Sequence, residues 1–525
     1  MIAWDTETHL IQPGLLSPPI VCHSFAGEGV TESLVLAEEH SKIIEYLRNG
    51  RTVAGANIAY DFGCLLAAHP EYLPDVWQAY KSGRIWDVLI ASTLRAIAEG
   101  RLRDGELYDR KGQKMKDDRG RMTARYSLFN STQEWLGRED AKQNDRFRLS
   151  YALLEKTPLE YWPDDARQYP IDDAVNTLDV AVAQSTSGFD FCDLRVQCHA
   201  AFCAHISAIW GLRADAEKVA SIKGATVAKE TELHAWAHKL GLLRENKDGT
   251  FSKDTKAIGL LVTGAYLGQP PTTPKGKVSL SRETLEDSGD ATCEKFAELG
   301  KVQKYFTYFP ALEEAARCPL NVRPNILVST GRSSYDGIVQ LLPRKGGLRD
   351  CFKARGTFVS VDYAAVEMAT LAQVCLWTVG ESALADAINL GQDPHCILAA
   401  NMTGVDYSDF YREYKAGDKV LKDIRQAGKA GDFGYPGMMG AAKFVIAQRK
   451  AGHSVCEWLH RDGLCGGSKT MTWKGKTWDG GPLCVRCIEE SEKIKKAFLT
   501  TWAEVPKYWA WVSRQLELDD RITQF

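Results

Sequence analysis

No run in the 525-residue sequence approaches the roughly 18 consecutive apolar residues that a membrane-spanning helix needs. An excess of one charge is also lacking: 65 Lys and Arg stand against 68 Asp and Glu, for a net charge of −3. Global attraction to a polyanion is thereby excluded, so any hold on nucleic acid has to come from local grooves. The N-terminus has no charged leader ahead of a hydrophobic core, and no internal repeat is visible. These absences give the expectation of a soluble, cytoplasmic protein without membrane contact. No His-Asp dipeptide occurs anywhere in the chain.

What is present is enough apolar material, 44% of residues, for several cores. The length alone suggests about two to four domains. Most of the 14 cysteines lie in apolar runs, such as those around Cys64 and Cys375, and read as reduced core thiols.

Residues 1 to about 190 alternate short strand-like runs (IAWDTE, PIVCHSFAG, TVAGANI) with helical stretches (EEHSKIIEYLRN, DVLIASTLRAIAEG), the pattern of an α/β domain. GRLRDGELYDRKGQKMKDDRGR interrupts it as a charged insertion. From about 190 to 315 the pattern is mainly helical, with an exposed polar loop at Gln269–Lys277. TFVSVDYAAVEMATLAQV, residues 357–374, reads as a strand running into a helix. Helices continue to about 450, a Gly-, Cys- and Trp-rich segment reaches Cys487, and one helix is expected from Glu489 to about Leu516.

In IAWDTET, Asp5 and Glu7 lie two apart on a strand and project from one face. Alone, such a pair is usually a solvated strand face. VAGANIAYDFGCLL, however, places Asn57, Tyr60 and Asp61 where a strand enters a helix, and QYPIDDAVNTLDVA sets Tyr169 and Asp173 at i, i+4 on one helical face. In this order the three segments resemble the DxE, NxxYD and YxxxD motifs of the proofreading exonuclease family with the ribonuclease-H-like fold. The resemblance implies that Asp5, Glu7, Asp61 and Asp173 hold two Mg²⁺ or Mn²⁺ ions and that Tyr169 orients the attacking water. Two-metal phosphodiester hydrolysis needs clustered carboxylates of this kind. Asp172 is expected to face elsewhere, and Asp87 to be structural.

Four later segments are each weak alone: a TGR turn, an aspartate before a helix, and basic or histidine residues on helices. STGRSSYDGIVQLLPRKGGLRDCF, FVSVDYAAVEMATLA, GQDPHCILAANMTG and DIRQAGKAGDFGYPGMMG together resemble the family A DNA polymerases. The resemblance implies that Arg332 and Gln340 contact the minor groove near the primer end. Arg349 lies at the nucleotide side, and Asp362 holds both catalytic metals. Glu367 blocks a ribose 2′-hydroxyl, while His395, Arg425 and Lys429 bind the incoming triphosphate. Phe433 packs by the sugar and base, and phenylalanine in place of tyrosine there implies discrimination against dideoxynucleotides. Gly437 departs from the family tyrosine that partners Glu367, and Pro436 with Gly437 should end the helix. In this the chain is similar to bacteriophage members.

The expected architecture is a ribonuclease-H-like α/β exonuclease domain, 1–190, followed by a mainly helical α+β polymerase domain, 191–525. The latter would comprise a thumb at about 205–315, a partial palm at about 316–380 and fingers at about 381–525. The family carries its second palm carboxylate in an HDE motif, which is missing here. The expectation is a split polymerase whose second polypeptide brings that motif and covers an open palm edge, with a truncated chain as the alternative. The implied substrates are primer-template DNA and deoxynucleoside triphosphates. A different class also fits: a DNA-binding accessory protein with an inactive polymerase body, whose only chemistry is exonucleolytic. A ribonuclease-type processing enzyme is disfavoured, because matching segments continue past residue 190. No 5′-nuclease domain is expected ahead of Asp5.

Cys456, His460, Cys465, Cys484 and Cys487 cluster near the fingers, the last two as a CxxC. That spacing suits a structural Zn²⁺ held by Cys465, Cys484 and Cys487 with either Cys456 or His460. Reduced thiols in a loop-rich insertion are the alternative.

Overall fold

The structure is a computed structural model that describes residues 1–103, 105–116, 120–138, 147–191, 193–266, 268, 270–273, 275–288, 290–328, 332–451, 453–459, 468–473, 476–483 and 485–519. At 287, 450, 457, 468–473, 476–483, 485, 518 and 519 the description is of backbone alone. The chain divides into two compact units, Met1–Lys223 with Tyr308–Thr357, and Gly224–Thr307 with Phe358–Ile522. The segment expected as a thumb contributes to both.

The first unit is built on five strands: β1 (Ile2–Thr8), β2 (Ile20–Gly27), β3 (Leu34–Leu36), β4 (Val53–Gly55) and β5 (Ile85–Asp87), in the order β3-β2-β1-β4-β5. β1 pairs antiparallel with β2, whereas β1–β4 and β4–β5 are parallel. Parallel neighbours need a crossover, and the helices Ile58–Ala68 and Leu73–Lys81 supply the one between β4 and β5. Trp4, Phe25, Phe62, Tyr80 and Phe202 are essentially inaccessible and form the core beneath the sheet. Full burial of each such ring stabilises the unit by about 2–3 kcal/mol. The helix Asp164–Ser185 packs against β1 and β2.

The charged insertion is not merely surface. Leu102, Leu107 and Met115 make a small core with Ala96 and Tyr126. Arg101 is buried beside it and donates through Nη2 to Glu134 Oε1 at 2.8 Å.

The second unit is mainly helical. One core gathers Leu233, Ile258, Val262, Tyr266 and Phe296, another Leu384, Leu398, Tyr435, Phe444, Phe498 and Trp502. The helix expected from Glu489 to Leu516 is two, Val485–Thr501 and Glu504–Asp519. Pro506 explains the break: it has no N–H for the Trp502 carbonyl, and it is tolerated only in the first turn of a new helix. The helix Lys419–Gly434 ends in a tight turn at Tyr435–Gly437, as the Pro-Gly pair requires.

The strand expected before Asp362 does not form. Phe358–Tyr363 runs without a ladder partner among the described residues, with Val359 83% and Val361 84% exposed. A strand exists only through inter-strand hydrogen bonds, and apolar sequence alone cannot make one. Among the described residues no helix is long and apolar enough to cross a membrane.

Candidate functional site

In the first unit, alternation along β1 aims Asp5 and Glu7 to one face, opposite Ser24 and Cys22 of β2. The helix Asp164–Ser185 brings Asp173 to them. Carboxylate oxygens of Asp5, Glu7 and Asp173 all lie within 4.8 Å of one another. Burial holds the Asp5 carboxyl well above the usual range, reinforced by the charges of Asp61, Glu7 and Asp173. Such a repelling group of acids is suited to a hard divalent cation, which takes oxygen ligands.

Asp61 is not drawn into that trio. Its Oδ1 accepts from Thr6 Oγ1 at 2.5 Å, and Thr6 is the β1 residue between Asp5 and Glu7, with its side chain on the other face. Burial pushes the Asp61 carboxyl up to about 7, against the lowering effect of the Thr6 bond. Asp61 still adds to the field at Asp5. Asn57, ahead of it, takes a left-handed backbone with φ 64° at the start of Ile58–Ala68, a conformation asparagine tolerates better than most residues.

Tyr169 is half-buried on the same helix as Asp173. Burial raises its hydroxyl pKa, as do the charges of Asp173 and Glu7, which places the phenol in the field of the acids. Asp172 is exposed and accepts from Gln168 Nε2 at 2.8 Å. Asp87 is structural: Oδ1 caps the helix Val88–Ala98 through Leu89 N and Ile90 N, and Oδ2 accepts from Ile58 N at 3.1 Å, so one buried carboxylate serves two helix starts.

Sequence reasoning missed Tyr151. Pro170 sits inside the Asp164–Ser185 helix and cannot donate to the carbonyl of Ala166. The buried Tyr151 hydroxyl donates to that carbonyl instead, at 2.9 Å. A proline inside an otherwise helical run was the signal that an outside donor is required.

In the second unit, Arg425, Lys429 and Phe433 occupy the helix Lys419–Gly434 at four-residue spacing. Arg425 donates through Nε and Nη2 to Asp393 Oδ2 at 3.0 and 2.7 Å. Although burial opposes it, this arginine holds the Asp393 carboxyl below its usual range. The other oxygen of Asp393 caps the helix Pro394–Thr403. His395, on that helix, has its ring centroid 5.4 Å from that of Phe433. Lys429 and Phe433 line an open cavity of about 330 Å³ with Gln426, Met439, Gln448 and His453.

Asp362 and Glu367 are both exposed, Glu367 in the first turn of Val366–Val379. Among the described residues, Asp362 joins no group of acids capable of holding an ion, so this side chain alone does not fit a two-metal centre. Tyr435 cannot replace the missing tyrosine partner of Glu367, because it is buried and its hydroxyl donates to Ser491 O at 2.7 Å. Back in the first unit, Arg332 is exposed, Gln340 Oε1 accepts from Tyr335 N at 3.1 Å, and Arg349 donates to Leu342 O. Cys456 and Cys487 are buried with their sulfurs 3.2 Å apart. His460, Cys465 and Cys484 lie outside the described residues.

No protein-family model and no curated protein matches the sequence. Among solved structures, the chain is similar to the POL domain of Pol1 from M. smegmatis, in complex with DNA primer-template and dNTP. The TM-score is 0.57 and the identity 14%, over 99% of this chain and 75% of that one. The chain has a polymerase-domain fold.

Proposed function

We propose that this chain carries out template-directed DNA synthesis with 3′→5′ exonucleolytic proofreading, and that a second polypeptide supplies the missing part of the palm. The observation that carries the reading is the face formed by Arg425, Lys429 and Phe433 beside His395, in a chain whose whole length follows a polymerase-domain fold. Two cations and a histidine suit a triphosphate, and an exposed ring suits a base and sugar. Arg332 and Gln340 would meet the primer-template, with Arg349 towards the nucleotide.

For the exonuclease reaction, Asp5, Glu7 and Asp173 would hold a divalent ion, with Asp61 as a fourth acid beside them. The ion supplies charge neutralisation at the scissile phosphate and activation of water. Tyr169 positions that water, while the ribonuclease-H-like reading of the sheet rests on its strand order and on these acids.

Two features support a second polypeptide: the unpaired Phe358–Tyr363 segment, and an Asp362 with no companion acid among the described residues. A strand bearing a carboxylate would meet both needs. The test is primer extension by the chain alone and with a polypeptide carrying an HDE palm hairpin. Extension only with the partner, abolished by Asp362→Ala, is expected. Robust extension by the chain alone would overturn the need for a partner. Extension indifferent to Asp362→Ala would overturn the polymerase assignment. The exposed, isolated Asp362 also favours a second reading, an exonuclease or DNA-binding accessory protein with an inactive polymerase body. Proofreading activity without extension under either condition would establish that one.

A further inference from the structure

His395 is held in a way that the triphosphate reading does not by itself require. Its Nδ1 lies 2.7 Å from Oδ2 of Asp432, a residue only 1% exposed on the buried side of the helix that carries Lys429 and Phe433. The second oxygen of Asp432 accepts from Trp502 Nε1 at 2.9 Å. The carboxylate therefore has both oxygens committed and cannot swing away from the imidazole. Nε2, the other ring nitrogen, bonds no described residue.

We infer that Asp432 is a positioning residue for His395: it keeps the imidazole protonated on both nitrogens, so that Nε2–H is offered as a charged donor to the phosphates of a bound nucleoside triphosphate. The inference rests on the nucleotide-binding reading of this face. A neutral imidazole that gives Nδ1–H to Asp432 has only a lone pair at Nε2, which repels a phosphate oxygen; only the imidazolium donates from both sides. A buried carboxylate at hydrogen-bonding distance favours that cation, and Trp502 favours the carboxylate in turn. The ionisable groups around the ring are Asp432 and Lys429 on the facing helix, Asp393 at the start of its own helix, and Arg425, which is tied to Asp393. Asp393 spends its oxygens on Arg425 and on the backbone N–H groups of His395 and Cys396, which leaves Asp432 as the acid bonded to the ring.

The test is equilibrium binding of dTTP to the full chain at pH 6 and pH 8.5, for the native sequence and for D432N, H395Q, the double variant and K429A. Asparagine preserves the shape and can still accept from Trp502. D432N should bind like the native chain at pH 6 and roughly tenfold more weakly at pH 8.5, the size of one charged hydrogen bond. H395Q, which leaves Asp432 in place, should remove the pH dependence, and adding D432N to it should change nothing further. Parallel pH profiles for D432N and the native chain, or additive losses in the double variant, overturn the inference while K429A still weakens binding. If K429A and the native chain bind dTTP equally, the nucleotide-binding reading itself is overturned, and the inference with it.

Discussion

The hydroxyl of Tyr151 donates at 2.9 Å to the carbonyl of Ala166, the acceptor that Pro170 leaves without a donor four residues later. Proline inside a helix costs about 3 kcal/mol, part of it from the orphaned carbonyl. Here the interruption falls between Tyr169 and Asp173, so the tyrosine repairs the helix at the point where it presents its functional side chains. Tyr151→Phe should lower unfolding stability by about 1–2 kcal/mol and reduce 3′→5′ degradation of single-stranded DNA. Denaturant melts and a gel assay check this; unchanged stability would mean that the carbonyl finds another donor.

Asp172 and Asp173 are neighbours with opposite surroundings, the first exposed and the second among the acids of β1. Asp173→Ala should cut exonuclease activity roughly a hundredfold, the scale seen when support for a metal site is lost. Asp172→Ala should leave it near the native rate. Equal effects would undo the assignment of the helical face.

The acids also set a dependence on pH. Asp5 is held above its usual range and Asp61 is pushed up to about 7, burial being the main cause in both. Raised folded-state values mean that these groups favour the fold at low pH, and that this contribution is lost as pH rises from about 4, the unfolded carboxylate value, through about 7. A divalent ion at the site offsets that loss. The rise in Tm on adding Mn²⁺ should therefore be larger at pH 8 than at pH 5, and should vanish in Asp5→Ala. Equal rises at both pH values would count against the site.

Cys456 and Cys487 come from segments 31 residues apart and meet sulfur to sulfur at 3.2 Å. The pairing favours Cys456 over His460 as a zinc ligand. Elemental analysis of the purified chain should find about one zinc per molecule, four thiolates being the usual structural set. Cys456→Ser or Cys487→Ser should release it, and His460→Ala should not. Zinc-free protein would return these residues to the class of buried thiols.

What the sequence made legible was local. Alternation on a strand grouped Asp5 with Glu7, and four-residue spacing on helices grouped Tyr169 with Asp173 and Arg425 with Lys429 and Phe433. Partners distant along the chain were not legible: nothing in either local pattern joins Asp432 to His395, or Tyr151 to Ala166, because tertiary packing makes those contacts. Asp61 was matched by motif, yet its bond is to Thr6, and a motif does not specify a rotamer. The segment before Asp362 misled in the opposite way. Its composition suits a strand, but strand formation depends on a neighbour that composition cannot provide.

That segment bears on how the protein is made as well as on what it does. Extended backbone displaying Val359, Val361 and Tyr363 offers a growing sheet edge to any other copy of the chain. Soluble yield then becomes a kinetic contest, won when a pairing strand arrives before a second copy does. The interval between synthesis and pairing, more than the strength of the finished sheet, would govern how much protein survives.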